Sequence, residues 1–287
     1  MTSPGVEGDI WDRRLAGALE FVRERLAGEY EIDEFGFDRH LASKLFVPAM
    51  LPLYHTWFRT EVTGIENLPT DGPALVVANH SGTLGLDAIM LAVAVHVEHP
   101  AERFLRLLGA DLVFRVPLLS EFARKGGSTL ACNPDAERLL RGGELVGVFP
   151  EGFKGIGKDF ADRYKLQRFG RGGFVSAALR TGTPIVPVSI VGAEEIYPKI
   201  ADIRPLARLL GIPYFPVTPT FPWLGPLGLV PLPSKWLIEF GAPISTAGQA
   251  EAADDPMFVY NLSDQVRETI QQTLHDLLGR RPDAFAP

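Results

Sequence analysis

Ala74-Leu75-Val76-Val77-Ala78-Asn79-His80-Ser81-Gly82-Thr83-Leu84-Gly85-Leu86-Asp87 passes from an unbroken apolar run into a polar, glycine-bearing loop that holds a histidine and a carboxylate. An apolar run of this length reads as a buried strand. The pattern recurs about seventy residues on, where Leu145-Val146-Gly147-Val148 runs into Phe149-Pro150-Glu151-Gly152. A histidine, two carboxylates and several glycines therefore sit where two strands end, the usual place for an active site in an open α/β sheet.

Outward from these segments, strands and helices alternate. Asp87 to His96 reads as a helix, Phe104 to Gly109 as a short strand, and Pro117 to Arg124 and Pro134 to Arg141 as helices. The last opens with Asn133-Pro134, a cap residue and a first-turn proline. Gly170 to Thr181 reads as a helix, Pro184 to Val191 as a strand, Trp236 to Phe240 as a late strand and Ser263 to Leu278 as an amphipathic helix. Pro187 lacks an N–H for a ladder, which favours an edge or a bulge for its strand. The alternation implies an α/β fold, a mainly parallel sheet flanked by helices. An N-terminal helical extension precedes it. Ile10, Leu15, Leu19, Val22 and Leu26 recur at helical spacing within Asp9 to Tyr30, and Phe35 to Phe58 reads as a second helical segment kinked at Pro48 and Pro52. The expected division is residues 1–63 for the extension, with a possible membrane role, and 64–287 for the α/β domain.

The 287 residues are 46% hydrophobic and 22% charged, an ordinary globular balance. A net charge of −7 argues against a general nucleic-acid binder. The single cysteine, Cys132, excludes an intramolecular disulfide and fits a reducing cytoplasm. The polar, acidic start, Met1 to Asp12, lacks the basic and apolar parts of a signal peptide. No run reaches the ~18 apolar residues of a membrane-spanning helix. Leu45 to Phe58 and the proline-, aromatic- and leucine-rich Gly211 to Trp236 come closest, and both are expected at a membrane interface, with Trp223, Lys235 and Trp236 at the boundary.

Asp87 is near enough in sequence to turn back onto His80 across the Gly82 and Gly85 loop, or simply to cap the helix it begins. A carboxylate on one ring nitrogen fixes the tautomer and leaves the other nitrogen free to take a proton from a hydroxyl. Beyond Glu151 and Gly152 comes a basic set, Lys154, Lys158, Arg163, Lys165, Arg168 and Arg171, which reads as a solvated face or as a phosphate site. Arg171, within Gly170-Arg171-Gly172-Gly173 at a helix start, is its strongest anion candidate. There is no Gly-x-Ser-x-Gly elbow, Walker A sequence or Gly-x-Gly-x-x-Gly fingerprint. His96 and His99 around Glu98 lack the spacing of a helical metal pair, so no metal is expected.

The two loop segments, in this order and spacing, resemble those of the glycerolipid acyltransferase superfamily, the group of the bacterial 1-acylglycerol-3-phosphate acyltransferases. Pro184-Ile185-Val186-Pro187-Val188-Ser189 is similar to the proline-containing strand that follows that family's Phe-Pro-Glu-Gly motif. The resemblance runs from about Gly64 to Phe240. It implies transfer of an acyl chain from acyl-CoA or acyl carrier protein, as substrates rather than cofactors, to the hydroxyl of a glycerolipid such as lysophosphatidate. His80 would be the base and Asp87 its partner. Asn79, Ser81, Gly82, Phe149, Pro150, Glu151 and Gly152 would bind substrate, with Lys154 and Arg171 from this chain's own basic set as candidates for the acceptor phosphate. It implies a peripheral enzyme at the inner face of the cell membrane. Two departures mark a divergent branch: six residues rather than four separate the histidine from the aspartate, and Gly127-Ser128-Thr129-Leu130-Ala131-Cys132-Asn133-Pro134 lacks the family's phosphate-binding arginine. Diacylglycerol or another neutral lipid as acceptor, a thioesterase, and a non-catalytic lipid-binding protein stay open as alternatives.

Overall fold

The computed structural model describes residues 19–28, 30–170, 172–281 and 283–285. The strands are β1 (Glu61–Thr63), β2 (Ala74–Ala78), β3 (Leu105–Gly109), β4 (Thr129–Leu130), β5 (Leu145–Val148), β6 (Ile185–Val191), β7 (Ala201–Asp202), β8 (Pro216–Val217) and β9 (Leu237–Phe240). Seven of them form one sheet in the order β1-β9-β6-β2-β5-β3-β4, while β7 and β8 pair separately. All neighbours in the large sheet are parallel except β6 and β9. The chain belongs to the α/β class, with β2 at the centre of the sheet.

β2 shows why these residues form a central strand. Its side chains alternate between two hydrophobic clusters on opposite faces, Ala74, Val76 and Ala78 on one and Leu75 and Val77 on the other. The first cluster is roofed by helix Leu86–Glu98 through Met90, Leu91 and Val95. The second is roofed by helix Gly173–Thr181 and by the 25-residue helix Pro256–Arg280, whose Val259, Val266, Ile270 and Leu274 recur on one side.

Pro187 does not lie at an edge, because β6 sits between β9 and β2. The missing N–H falls where β9 has just ended. Pro187 opposes Gly241, one residue beyond that strand, and its carbonyl still accepts from the Gly241 N–H at 2.8 Å. The lost ladder bond therefore lies at a fraying end.

Of the Asp9 to Tyr30 helix, residues 19–27 are helical and the part before residue 19 lies outside the described residues. Residues 39–57 form one continuous helix. Asp38, fully buried, starts it by accepting from the Leu41 N–H at 2.9 Å. Pro48 and Pro52 do not interrupt it, because wide π-type turns at Ala42–Phe46 and Pro52–Trp57 take up the lost hydrogen bonds. Tyr54 and Phe58 of this segment do not face a membrane: both are buried in the first cluster. Trp236, expected at the interface, is 0% exposed and stacks on Phe58 with ring centroids 4.6 Å apart. Lys235 pairs with Glu61 on β1. By contrast Trp223 is 72% exposed.

The two tryptophans therefore differ in energetic role. Trp236→Ala is expected to cost about 3–5 kcal/mol by leaving a cavity against Phe58. Trp223→Ala is expected to stay within about 0.5 kcal/mol. Urea unfolding followed by circular dichroism measures both.

Candidate active site

β2 continues through helix Leu86–Glu98 on one face to β3, and β5 continues through helix Gly173–Thr181 on the other face to β6. β3 lies on the far side of β5, and β6 on the far side of β2. The chain thus leaves the ends of two neighbouring strands toward opposite faces and opens a crevice between them, as at a topological switch point. The Asn79–Asp87 loop and the Phe149–Gly152 turn line that crevice.

His80 Nδ1 lies 2.8 Å from Asp87 Oδ2. The same oxygen accepts from the Ser81 N–H at 2.7 Å, and Oδ1 accepts from the Ala88 N–H at 2.9 Å. Asp87 holds the imidazole but does not cap the helix: Gly85 occupies the cap position, and Asp87, in the first turn, accepts within the helix only from the next N–H. Because Asp87 accepts here, the neutral imidazole that fits this contact has its proton on Nδ1 and its lone pair on Nε2. Among the described residues Nε2 has no hydrogen-bond partner, and the side chain is 15% exposed. The loop accommodates its two extra residues by coiling: Gly82, Thr83 and Gly85 have φ of 85°, 62° and 69°, and Leu84 N–H closes a tight turn on the Gly82 carbonyl at 2.6 Å. At Gly82 a Cβ would stand 2.8 Å from the Ala193 carbonyl oxygen, so glycine is required there both by conformation and by space.

Glu151 joins the two loops. Its Oε1 accepts from the His80 backbone N–H at 2.9 Å, and Oε2 accepts from the Gln167 N–H at 2.6 Å. Lys158 Nζ stands 3.7 Å from Oε2 and 2.8 Å from Glu194 Oε1, all three side chains being buried. Burial pushes the Glu151 carboxyl up, against the downward pull of Lys158 and of its backbone donors. Burial likewise pushes Glu194 up to about 7, against the pull of Lys158. The short helix Phe153–Ile156 seats on the histidine loop, where a Cβ on Gly155 would be 2.7 Å from the His80 carbonyl oxygen. Phe149 packs its ring on the imidazole, centroids 4.5 Å apart.

Several residues expected on the substrate make contacts within the protein. Asn79 is fully buried, donating to the Ile190 carbonyl at 3.0 Å and accepting from the Ile190 N–H at 2.7 Å, which ties the end of β2 to β6. Glu151 contacts its own protein on both oxygens. Ser81 is buried, and among the described residues its hydroxyl is unpartnered. Pro150 accepts from the Gly170 N–H through its carbonyl at 3.2 Å, and Gly152 turns the chain with φ 55°. Lys154 is exposed, in a cleft of about 380 Å³ with Arg168, Tyr260 and Arg267. Arg171 lies outside the described residues. The basic set divides: Lys158 is in the buried pair, Lys165 pairs with Asp162 at the surface, and Arg168 lies over the Tyr260 ring. Glu194, Gly155 and Tyr214, whose hydroxyl donates to the Thr83 carbonyl, carried no sequence signal, because each acts only through a partner distant in sequence.

The arrangement holds an imidazole with a free Nε2, oriented by a buried carboxylate, at the mouth of a crevice. A protein-family model described as Acyltransferase matches residues 59–191. A Mycobacterium tuberculosis protein described as uncharacterized is 62% identical over 272 residues, 94% of this chain and 76% of its own length. A Brassica napus chloroplastic protein named 1-acyl-sn-glycerol-3-phosphate acyltransferase is 28% identical over 170 residues, 55% of this chain and 44% of that one. The crystal structure of the 1-acyl-sn-glycerophosphate acyltransferase PlsC from Thermotoga maritima shares the fold, with a TM-score of 0.55 and 19% identity over 94% of this chain and 98% of the other. Residues 59–191, which hold His80, Asp87 and Glu151, thus match the acyltransferase family, and the comparisons together support a member of the glycerolipid acyltransferase superfamily.

Glu194 makes stability depend on pH. A carboxyl whose folded pKa lies above its unfolded value near 4.5 contributes most below that value, and the contribution is lost as pH rises through about 7. Glu194→Gln removes this titration, so its unfolding free energy is expected to fall less between pH 5 and pH 8 than the wild type's. Urea titrations of both proteins at the two pH values measure the difference.

Proposed function

We propose that this member of the acyltransferase family moves a fatty acyl chain from a thioester donor, acyl-CoA or acyl carrier protein, to a hydroxyl of a glycerolipid of the lysophosphatidate class. The single observation that carries the chemistry is the His80 Nδ1 to Asp87 contact at 2.8 Å with Nε2 left unpartnered among the described residues. The Brassica napus relative's name supports the acceptor class.

In this reading His80 Nε2 takes the acceptor hydroxyl proton as the oxygen attacks the thioester carbonyl. The tetrahedral intermediate collapses with cleavage of the C–S bond, and the imidazolium returns the proton to the departing thiolate. The ester is complete without a covalent acyl-enzyme. Asp87 keeps the proton on Nδ1 throughout the approach and balances the transient imidazolium charge. Glu151 holds the histidine loop against the Phe149–Gly152 turn, so the base does not drift from the crevice. Both substrates carry acyl chains, so the enzyme works as a peripheral protein at a membrane surface. Among the described residues no helix is long and apolar enough to cross a membrane.

His80→Ala is expected to lower acyl transfer by ~10²–10⁴-fold while acyl-donor binding persists. Asp87→Asn is expected to lower turnover with little change in donor affinity. The assay offers labelled acyl-CoA to a panel of lysophosphatidate, diacylglycerol and no acceptor, with products read by lipid mass spectrometry. Near-normal transfer by His80→Ala would overturn the role of the base. Free fatty acid as the only product would overturn transfer in favour of hydrolysis.

A further inference from the structure

The segment between β6 and β9 is longer than a connection in a compact sheet requires. It contains β7, β8 and the helix Arg204–Leu210, and it presents large apolar side chains to solvent: Leu209 (80% exposed), Leu210, Trp223, Leu224, Leu227 (71% exposed) and Val230. Exposed large apolar side chains concentrated in one segment, rather than scattered singly, mark a candidate interaction site. Its charge is as unusual as its polarity. From residue 203 to residue 238 there is no Asp or Glu, and the segment's exposed charges are Arg204 and Arg208, although the whole chain carries −7. Among the described residues neither arginine has an acidic partner. An acid-free, cationic and apolar stretch of chain on an acidic protein is complementary to anionic lipid headgroups over acyl chains, and poorly matched to an ordinary polar protein surface.

The segment also grips the catalytic loop. Tyr214 donates its hydroxyl to the Thr83 carbonyl, Thr83 donates its own to the Tyr197 carbonyl at 3.1 Å, and Tyr197 donates to the Leu229 carbonyl. Trp57 Nε1 holds the far end through the Pro231 carbonyl at 2.9 Å. The apolar side chains therefore project from a segment hydrogen-bonded three residues from His80.

We propose that the segment 203–231 is the docking surface for an anionic lipid bilayer, its leucines and Trp223 entering the acyl region and Arg204 and Arg208 meeting the headgroups, so that the lipid substrate leaves the membrane beside the His80 loop. This deepens the peripheral-membrane part of the proposed function and rests on it. The surface is distinct from the N-terminal 45–58 stretch, whose Tyr54 and Phe58 belong to the core.

Co-sedimentation with vesicles, without any substrate turnover, tests the assignment. The full chain is expected to bind mixed phosphatidylcholine–phosphatidylglycerol vesicles, and pure phosphatidylcholine vesicles more weakly. Arg204→Glu with Arg208→Glu is expected to weaken binding to the mixed vesicles by about tenfold or more. Leu209→Glu with Leu227→Glu is expected to weaken binding to both by about tenfold or more. Trp emission in the otherwise unchanged protein is expected to shift to the blue with mixed vesicles, and Trp223→Phe is expected to remove that shift, a readout independent of how the charged variants fold. Variants that sediment like the wild type, or a blue shift that survives Trp223→Phe, overturn this surface while leaving the peripheral reading intact. A wild type that ignores both vesicles overturns both, and His80→Ala, which is expected to sediment normally, separates either result from failure of the acyl-transfer chemistry.

Discussion

The site depends on one carboxylate, that of Glu151. Two loops that leave neighbouring strands toward opposite faces need a tie to hold them in register, beyond the packing of Phe149 on the imidazole. Glu151 accepts from the His80 N–H with one oxygen and from the Gln167 N–H with the other, so one buried side chain fixes the histidine loop, its own turn and the following segment. Hydrogen bonds from backbone N–H groups to an ionised acceptor are among the stronger ones a fold can use. Removing one partner would leave buried donors unsatisfied.

That arrangement requires burying charge, and the surroundings show how the cost is limited. Lys158 sits between Glu151 and Glu194, while Glu195 is held by Arg281 at 2.7 Å and by the Tyr164 hydroxyl. Tyr164 also donates its backbone N–H to Glu194 at 2.9 Å and accepts from the Gly192 N–H at 2.9 Å. Each carboxylate therefore has both a cation and N–H or O–H donors, the condition under which buried ion pairs are tolerated. Gln271 on the C-terminal helix closes the set, donating to the Tyr164 carbonyl at 2.8 Å and accepting from Leu166 N–H at 2.9 Å. The helix that covers the second core face thus also supports the floor of the crevice.

The apolar residues divide in an instructive way. Two stretches rich in aromatic and aliphatic residues looked alike as sequence, yet the fold assigns parts of each to opposite environments. Phe58 and Trp236 stack inside the core, whereas Trp223 and Leu227 face outward. Hydrophobicity reports a preference to leave water; it does not say whether the destination is the protein's own interior or another phase. Only the register of β1 beside β9, Glu61 opposite Leu237, brings Phe58 and Trp236 together.

By itself the sequence determined the strands that matter most. The apolar runs before Asn79 and Phe149 are β2 and β5, because only a strand buried on both faces needs to be apolar at every position. It also placed His80 and Glu151 at strand ends, since each follows closely on its run, and Asp87 at the far end of the His80 loop. The weak strands β1 and β4, at the sheet edges and three and two residues long, left no pattern to read. Tertiary structure alone decided which residues meet. The positive φ angles at Gly82, Thr83 and Gly85 bring an aspartate at unusual spacing onto His80, and the placing of β6 between β9 and β2 puts a proline strand inside the sheet. It also made Asn79 and Glu151 ties within the frame. The physical reason is the same in each case: burial pattern is a local property of the chain, while a hydrogen bond between residues seventy positions apart exists only once the chain has packed.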